Sequence, residues 1–498
     1  MSGIILPSDI MKMASFYLFY QVSLEVPMEY PIHMPVFEPG HPLYLQLYQH
    51  LAREIQQGRP GPGKKLPSKR RLCALLGVSM STVEGAYSLL LAEGYVKSLP
   101  RSGYVAAQLH DVPVQSVPDL PAPPEPPSQW RYDCSTSAVD TSVFPFSSWA
   151  RINKDSVYQN PGLLQPGHPQ GDEPLRVALA GLLAQYRGVR CSPEQIVVGA
   201  GTDYLLSLLL QLFPQGSAVA LEDPGYPTAW QAVERHGHRP ISIPVDASGM
   251  CPRELEQSEA VLAYVTPSHQ FPLGVTMPVE RRSRLLRWAA QGEGRYVLED
   301  DYDSEFRYAS RPIPALQGLD AGGRVIYLGT FSRSIAPAIR VAYLILPPEL
   351  LARYRRVFPQ SACTVSRFEQ ETLRQFLVQG LYSRHLRRSG NRYRRKCSIL
   401  TQALGRFPHL SLSGEGAGLH FLLTAPHLTE GEMVQRAARS GIRVSPLSRY
   451  CHQVSPPPST VVVGYAGLPL EQLEECANLL GQALDPVTPL PEDARPNE

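Results

Sequence analysis

Between residues 42 and 57 the apolar positions Leu43, Leu47, Leu51 and Ile55 return at every fourth residue, with Tyr44 and Tyr48 beside them. That period predicts a helix with one buried face. Gly58, Pro60, Gly61, Pro62 and Gly63 break it. Ser68 can cap a second helix running to Leu76, ended by Gly77. Ser79 can cap a third, with Val83, Ala86, Tyr87 and Leu90 inward and Gly94 as its stop. The helical period then gives way to two short strands, Tyr95-Val96-Lys97 and Gly103-Tyr104-Val105, joined by a turn. Three helices and a hairpin describe a winged helix-turn-helix. Seven prolines follow between residues 111 and 127, the composition of a stiff, extended linker. From about residue 130 to 485, apolar runs alternate with helix-like stretches such as 174–186, 202–213 and 279–290. The runs include Ile196–Val198, Ala218–Leu221, Val261–Val265, Tyr296–Leu298 and Val325–Leu328. This is the pattern of an α/β domain around a largely parallel sheet.

The expected organisation is therefore a poorly specified extension over 1–40, a winged helix over 41–107, a Pro-rich linker over 108–129, an α/β domain over 130–485 and a loose tail over 486–498. A length of 498 residues with 43% hydrophobic residues suits several globular domains and excludes whole-chain disorder. No apolar run reaches the roughly 18 residues of a membrane span. Pro7, Ser8 and Asp9 interrupt the start of the chain too early for a secretory signal. The eight cysteines are scattered and form no C-x-x-C pair, so neither a disulfide framework nor a metal site is expected, and a reducing cytoplasm fits.

Charge changes this picture in two ways. Residues 41–105 carry nine Lys and Arg against three acids, whereas the rest of the chain carries 38 against 42. A basic module on a mildly acidic body points to a polyanionic partner for the module. Within it, Lys64, Lys65, Ser68, Lys69, Arg70 and Arg71 gather around the start of the second helix, where cations and free N–H groups suit phosphates. Ser79, Ser81 and Thr82 open the presumed recognition helix, and Lys97 and Arg101 sit at the wing. Lysine is also rare. The chain has seven, and none lies between Lys154 and Lys396.

The stretch from Pro42 to Val105 resembles the GntR-type winged-helix domain of bacterial transcription regulators. One residue departs from that pattern: Met80 stands where the family usually has an arginine able to read guanine. From about 130 to 480 the chain resembles fold-type-I aminotransferases (aspartate-aminotransferase-like, dependent on pyridoxal phosphate), specifically the effector half of MocR-type regulators. The stretches "EDPGYP", "YVTPSHQFPLGVTM", "LEDDYDSEFRY" and "VIYLGTFSRSIAPAIRVAYLILP" carry the likeness. The resemblance implies a cofactor site. Gly201 and Thr202 would cradle the phosphate of pyridoxal phosphate, and Thr330, Ser332 and Arg340 would ligate it. Asp300 would hold the pyridine nitrogen and Tyr302 the ring hydroxyl, Tyr226 would stack on the ring, and His269 with Gln270 would line it. Read alone, the acid run Glu299–Asp303 can equally bind a divalent cation.

Position 333 is the point of departure. The family pattern Gly-Thr-Phe-Ser-Lys places there the lysine that forms the Schiff base, but this chain has Arg333. A guanidinium stays protonated and delocalised, so it is neither a nucleophile towards an aldehyde nor a good general base. No catalytic residue is assigned. The reading is a cytoplasmic DNA-binding regulator with partners of three kinds: double-stranded operator DNA, a small-molecule effector and a second copy in a head-to-tail homodimer, with no membrane. The effector would be pyridoxal phosphate held non-covalently, or a related small molecule. The alternatives are an active aminotransferase with a vestigial DNA module and a cofactor-free dimerisation scaffold.

Overall fold

The computed structural model describes residues 35, 37–38, 40–100, 103–109, 130–308 and 313–486. Most of residues 1–40, Arg101 of the wing, the proline-rich stretch and the tail after 486 lie outside the described residues. The chain divides into two compact units, Met1–Pro126 and Pro127–Glu498.

In the first unit, helices α1 (Leu43–Gln56), α2 (Lys69–Leu76) and α3 (Met80–Ala92) precede strands β1 (Val96–Leu99) and β2 (Gly103–Ala106). The expected caps form. The Ser68 hydroxyl accepts from the Arg71 N–H at 3.3 Å, the Ser79 hydroxyl accepts from the Thr82 N–H at 3.2 Å, and Gly77 ends α2 in the left-handed region. Leu47, Leu51, Leu72, Val83, Tyr87 and Leu90 form the core. Tyr87 stacks on Tyr104 of the wing at 4.8 Å and donates to the Pro67 carbonyl at 2.7 Å. The strands pair antiparallel from Val96↔Ala106 to Leu99↔Gly103. Lys65 bridges Val105 on the other side of β2, a third rung that no periodicity announced.

The second unit opens with β3 (Tyr132–Asp133), the helices α4 (Phe146–Gln159) and α5 (Glu173–Arg187), and then β4 (Ile196–Gly199). Next come α6 (Thr202–Leu210), β5 (Ala218–Asp223), α7 (Pro227–Arg235), β6 (Arg239–Asp246), β7 (Gly249–Met250), α8 (Pro252–Gln257), β8 (Leu262–Val265), α9 (Val279–Gln291), β9 (Tyr296–Asp301), β10 (Val325–Thr330) and β11 (Ala342–Ile345). The main sheet has the order β4-β11-β10-β9-β8-β5-β6-β7. Its central strands are parallel, and β11 and β7 run against their neighbours. Helices cover both faces, so β5, β9 and β10 are buried throughout and begin as apolar runs.

Helices α10 (Pro348–Val357), α11 (Arg367–Val378) and the long α12 (Leu381–Leu404) lead to a second sheet. It contains β12 (Ser411–Ser413) and β13 (His420–Thr424), then, after α13 (Glu430–Arg439) and β14 (Ile442–Arg443), β15 (Ser445–Pro446) and β16 (Thr460–Gly464). Its order is β12-β13-β16-β15, all antiparallel, and α14 (Leu473–Ala483) packs beside it. The apolar pattern predicts a largely parallel sheet and does not set this antiparallel layer apart from it. Strand β14 pairs in parallel with β3, so the start of the unit is held by its C-terminal part.

Candidate functional site

In the winged helix, Lys64, Lys65, Ser68, Arg70, Arg71, Ser79, Ser81 and Lys97 are exposed, whereas Lys69 and Thr82 are half-buried. Lys69 is partly neutralised, with Nζ 3.1 Å from Glu84 Oε1. The Ser68 and Ser79 hydroxyls are spent on helix caps, and Ser79 also bonds the Ser81 and Thr82 hydroxyls at 2.9 and 2.8 Å. The free donors of this face are the lysines and arginines. Met80 is 40% exposed at the first turn of α3.

In the larger unit, apolar residues fill the sheet and polar ones stand at the carboxyl ends of its parallel strands: Glu222 and Asp223 on β5, Asp300 and Asp301 on β9, Thr330 on β10. Ligand crevices of open α/β sheets form at that edge. Here it opens a cavity of about 620 Å³ whose wall includes Thr202, Tyr226, Asp300, Tyr302, Thr330 and Ser332. Four arginines, Arg333, Arg340, Arg443 and Arg449, also face it. No lysine lines it among the described residues.

One end of the cavity is built for an anion. Gly201 sits at φ +95° before the first turn of α6, where backbone N–H groups are free and the helix dipole is positive. A Cβ there would lie 2.4 Å from Arg340 Nη2, so the arginine occupies the space that glycine leaves. Arg340 itself has φ +52°, a strained conformation for a side-chain-bearing residue. The Thr330 and Ser332 hydroxyls, 3.1 Å apart, stand beside it on the cavity wall.

The other end offers an acid. Asp300 is buried; one carboxylate oxygen accepts from the Tyr264 hydroxyl, and Oδ1 has no hydrogen-bond partner among the described residues. Burial, with Asp301 and Asp303 nearby, pushes its carboxyl up to about 7, against the pull of Tyr264 and Arg333. An orphaned, buried carboxylate oxygen facing a cavity calls for a positively charged or N–H-bearing ligand group. Glu222 is likewise raised to about 7 by burial, although the Thr266 hydroxyl and the Gln270 amide bond it.

Of the expected cofactor residues, Gly201 and Gln270 are not part of the cavity lining, and neither is His269. His269 lies behind Tyr302, with Nδ1 3.0 Å from the Tyr302 hydroxyl and 3.0 Å from Asp303 Oδ2. Gln270 is buried and bonds the Pro224 carbonyl. The acid run 299–303 does not converge on a cation. Glu299 accepts the N–H groups of Leu316 and Gln317, Asp300 pairs with Tyr264, Asp301 with Arg187, and Asp303 with His269.

Arg333, where the resemblance expects lysine, donates to the Thr136 carbonyl in the first segment of this unit. Arg443, joined to Asp133 at 3.4 Å, reaches the same segment. Lys396 is fully buried behind them and bound to Asp140 and the Ala466 carbonyl, both at 2.7 Å. Sequence reasoning left Arg443 and Arg449 unassigned and missed Asp223. That carboxylate accepts the N–H groups of His452, Gln453 and Val454 at 2.7–3.1 Å and pins the loop bearing Arg449 and His452 to the cavity rim.

Comparison with known proteins matches residues 136–480 to the aminotransferase class I and II family and residues 43–105 to the bacterial regulatory proteins of the gntR family. The HTH-type transcriptional regulator YdeL of Bacillus subtilis is 41% identical over 87% of this chain and 95% of its own. The probable rhizopine catabolism regulatory protein MocR of Rhizobium meliloti is 33% identical over 89% and 94%. Among solved structures, the kynurenine aminotransferase of Pyrococcus horikoshii in complex with PMP superposes with a TM-score of 0.65 and 25% identity, over 72% of this chain and 91% of that one. With a gntR-type DNA-binding domain ahead of an aminotransferase-like domain, and with these relatives matched over nearly their whole length, the chain belongs to the MocR-type HTH transcriptional regulators.

Proposed function

We propose that this regulator binds operator DNA through the cations of its winged helix and senses pyridoxal phosphate, free or joined to an amine or amino acid, in the cavity without a covalent bond to the protein. Arg333 carries this reading. It faces a cavity otherwise furnished for the cofactor, and it can neither attack an aldehyde nor serve as a base. The fit rests on two further features. The unpartnered Oδ1 of Asp300 suits the protonated pyridine nitrogen, and the α6 N-terminus with Arg340 suits the phosphate. When bound, pyridoxal phosphate supplies an electron-poor ring and an aldehyde. The protein's own residues orient and neutralise it. Asp300 would hold the ring-nitrogen proton, Tyr302, bonded to His269 beside Asp303, would bond the ring hydroxyl, and Tyr226 would cover a face. Thr202, Thr330, Ser332 and Arg340 would take the phosphate.

In this reading Arg333 links the ligand to the regulator's output. Its bond to Thr136 ends just past the segment that follows the linker to the DNA-binding unit. An anionic ligand group drawing Arg333 away would release that bond. The protein acts in the cytoplasm as a head-to-tail homodimer, which joins two DNA modules at a fixed half-site spacing.

Titration of the full-length protein with pyridoxal phosphate, followed by gel filtration and absorbance, tests this. Wild type should retain about one equivalent reversibly, with the spectrum of the free aldehyde. Arg333→Lys should shift the visible band, and borohydride should then fix a covalent adduct at position 333, located by peptide mass. Retention by neither protein, or amino-acid-dependent turnover by wild type, would overturn the reading.

Gly201→Ala should displace Arg340 from its seat and force a Cβ onto a positive-φ position. Loss of one charge-assisted phosphate contact is expected to weaken pyridoxal-phosphate binding by about tenfold or more in calorimetry. Unchanged affinity would remove Arg340 from the phosphate site.

A further inference from the structure

Helix α12 carries seven cations over 24 residues and no acid. Two of the seven turn inward and share one counter-charge: Lys396 and Arg392 both reach Asp140 Oδ2, at 2.7 and 2.5 Å. The other five, Arg384, Arg387, Arg388, Arg394 and Arg395, are exposed, and none stands in an ion pair among the described residues. Arg388 donates to the Val143 carbonyl, which leaves its charge uncompensated.

At 3.6 residues per turn these five fall within an arc of roughly 120° along about 16 Å of helix. Asn391 and Ser398 fall on the same arc and are exposed, so the face is cationic and polar with no acid on it. Like charges three and four residues apart, such as Arg384 with Arg387 and Arg388, destabilise a helix. A face that served solubility alone would intersperse both signs. Outside residues 41–105 the chain has more acids than Lys and Arg, 42 against 38, so the stripe does not follow from composition.

From this segregation we infer that the outward face of α12 is a second duplex-DNA contact. It holds backbone phosphates of DNA flanking the operator and reads no sequence. This rests on the reading of the chain as a DNA binder. The chemistry suits the partner. Guanidinium forks bind phosphate oxygens bidentately, and about 16 Å of duplex presents on the order of nine phosphate charges.

The test uses the full-length protein and a 60-base-pair duplex of fixed sequence, with affinity measured from low to high salt. Replacing all five arginines by alanine should lower the slope of log K against log salt by about 3–4 and weaken binding near 0.1 M salt by one to two orders of magnitude. Replacing all five by lysine should keep most of the slope. Arg70→Ala, in the winged helix, should lower it by about 1. A circular-dichroism melt matching wild type shows that the five-alanine variant is folded. If Arg70→Ala lowers the slope and the five-alanine variant leaves it unchanged, the α12 assignment fails while DNA binding stands. If wild type shows no salt-dependent DNA binding at all, the functional reading itself fails. Wild-type cosedimentation with phosphatidylserine vesicles, lost in the five-alanine variant while its DNA slope holds, would also overturn the assignment in favour of an anionic membrane surface.

Discussion

Arg187→Met is expected to lower the stability of the larger unit by about 3–5 kcal/mol, the cost of stripping one partner from a buried ion pair. Arg187 ends α5, where its charge also meets the negative end of the helix dipole. Its side chain and that of Asp301 are 5% and 2% exposed, and Nε lies 2.7 Å from Asp301 Oδ2. The remaining guanidinium donors go to the Ser268 hydroxyl at 2.7 Å and to the Ile313 carbonyl, so the fork ties α5 to the loops after β8 and β9. Methionine fills the volume and leaves the Asp301 carboxylate buried with only the Tyr327 hydroxyl. Urea unfolding followed by tryptophan fluorescence reads this unit alone, because all four tryptophans lie within it. Adding Asp301→Leu should restore most of the loss. If the double variant is as unstable as the single one, the unpaired charge is not the cause.

Asp140→Asn is expected to cost a similar amount, about 3–5 kcal/mol, for the complementary reason. It leaves Lys396 as a buried cation whose partners are one carbonyl and a neutral amide. Burial alone would raise the Asp140 carboxyl; hydrogen bonds from Lys396, Ser142 and Arg392 outweigh it and hold the group at about 2. Because the folded value lies below the unfolded value near 4, the stabilisation is complete above that pH and lost as pH falls towards 2. The difference in stability between wild type and variant should therefore shrink across that interval. A gap that stays constant from pH 5 to pH 3 would show that Asp140 acts by shape and not by charge.

The two units differed in how much their sequences disclosed. Helices α1 to α3 were legible because each carries a 3.6-residue apolar period and is followed by a glycine, and α2 and α3 also carry a serine cap. The central strands were legible because burial on both faces makes each begin with an apolar run. Strand β3 was not. Its two residues gain meaning by pairing with β14, some 310 positions away. Short strands of the antiparallel layer such as Ser411–Ser413 were not legible because they carry no pattern of their own.

In the cavity, the acids and hydroxyls at strand ends could be named from the family text. Glu222, Asp223 and Tyr264 lie within stretches that carry the likeness but received no role, since the partner of each comes from another strand or loop. His269 shows the converse. A motif placed it near the ring, and the packing of Gly418, whose added Cβ would meet His269 Cε1 at 2.0 Å, sets it one layer back.

The placement of the lysines has a consequence for labelling chemistry. Pyridoxal phosphate condenses with any accessible primary amine, and so do the activated esters used to tag proteins. Lys64, Lys65, Lys69 and Lys97 all belong to the winged helix, Lys396 is sealed inside, and Lys154 is the exposed amine of the larger unit among the described residues. Incidental acylation or aldehyde condensation therefore falls mostly on the winged helix, on the face proposed to meet DNA, and erases its charge. A tag introduced through amines would report a regulator that has lost its grip on the duplex, whereas one attached through a thiol on the larger unit would spare that face.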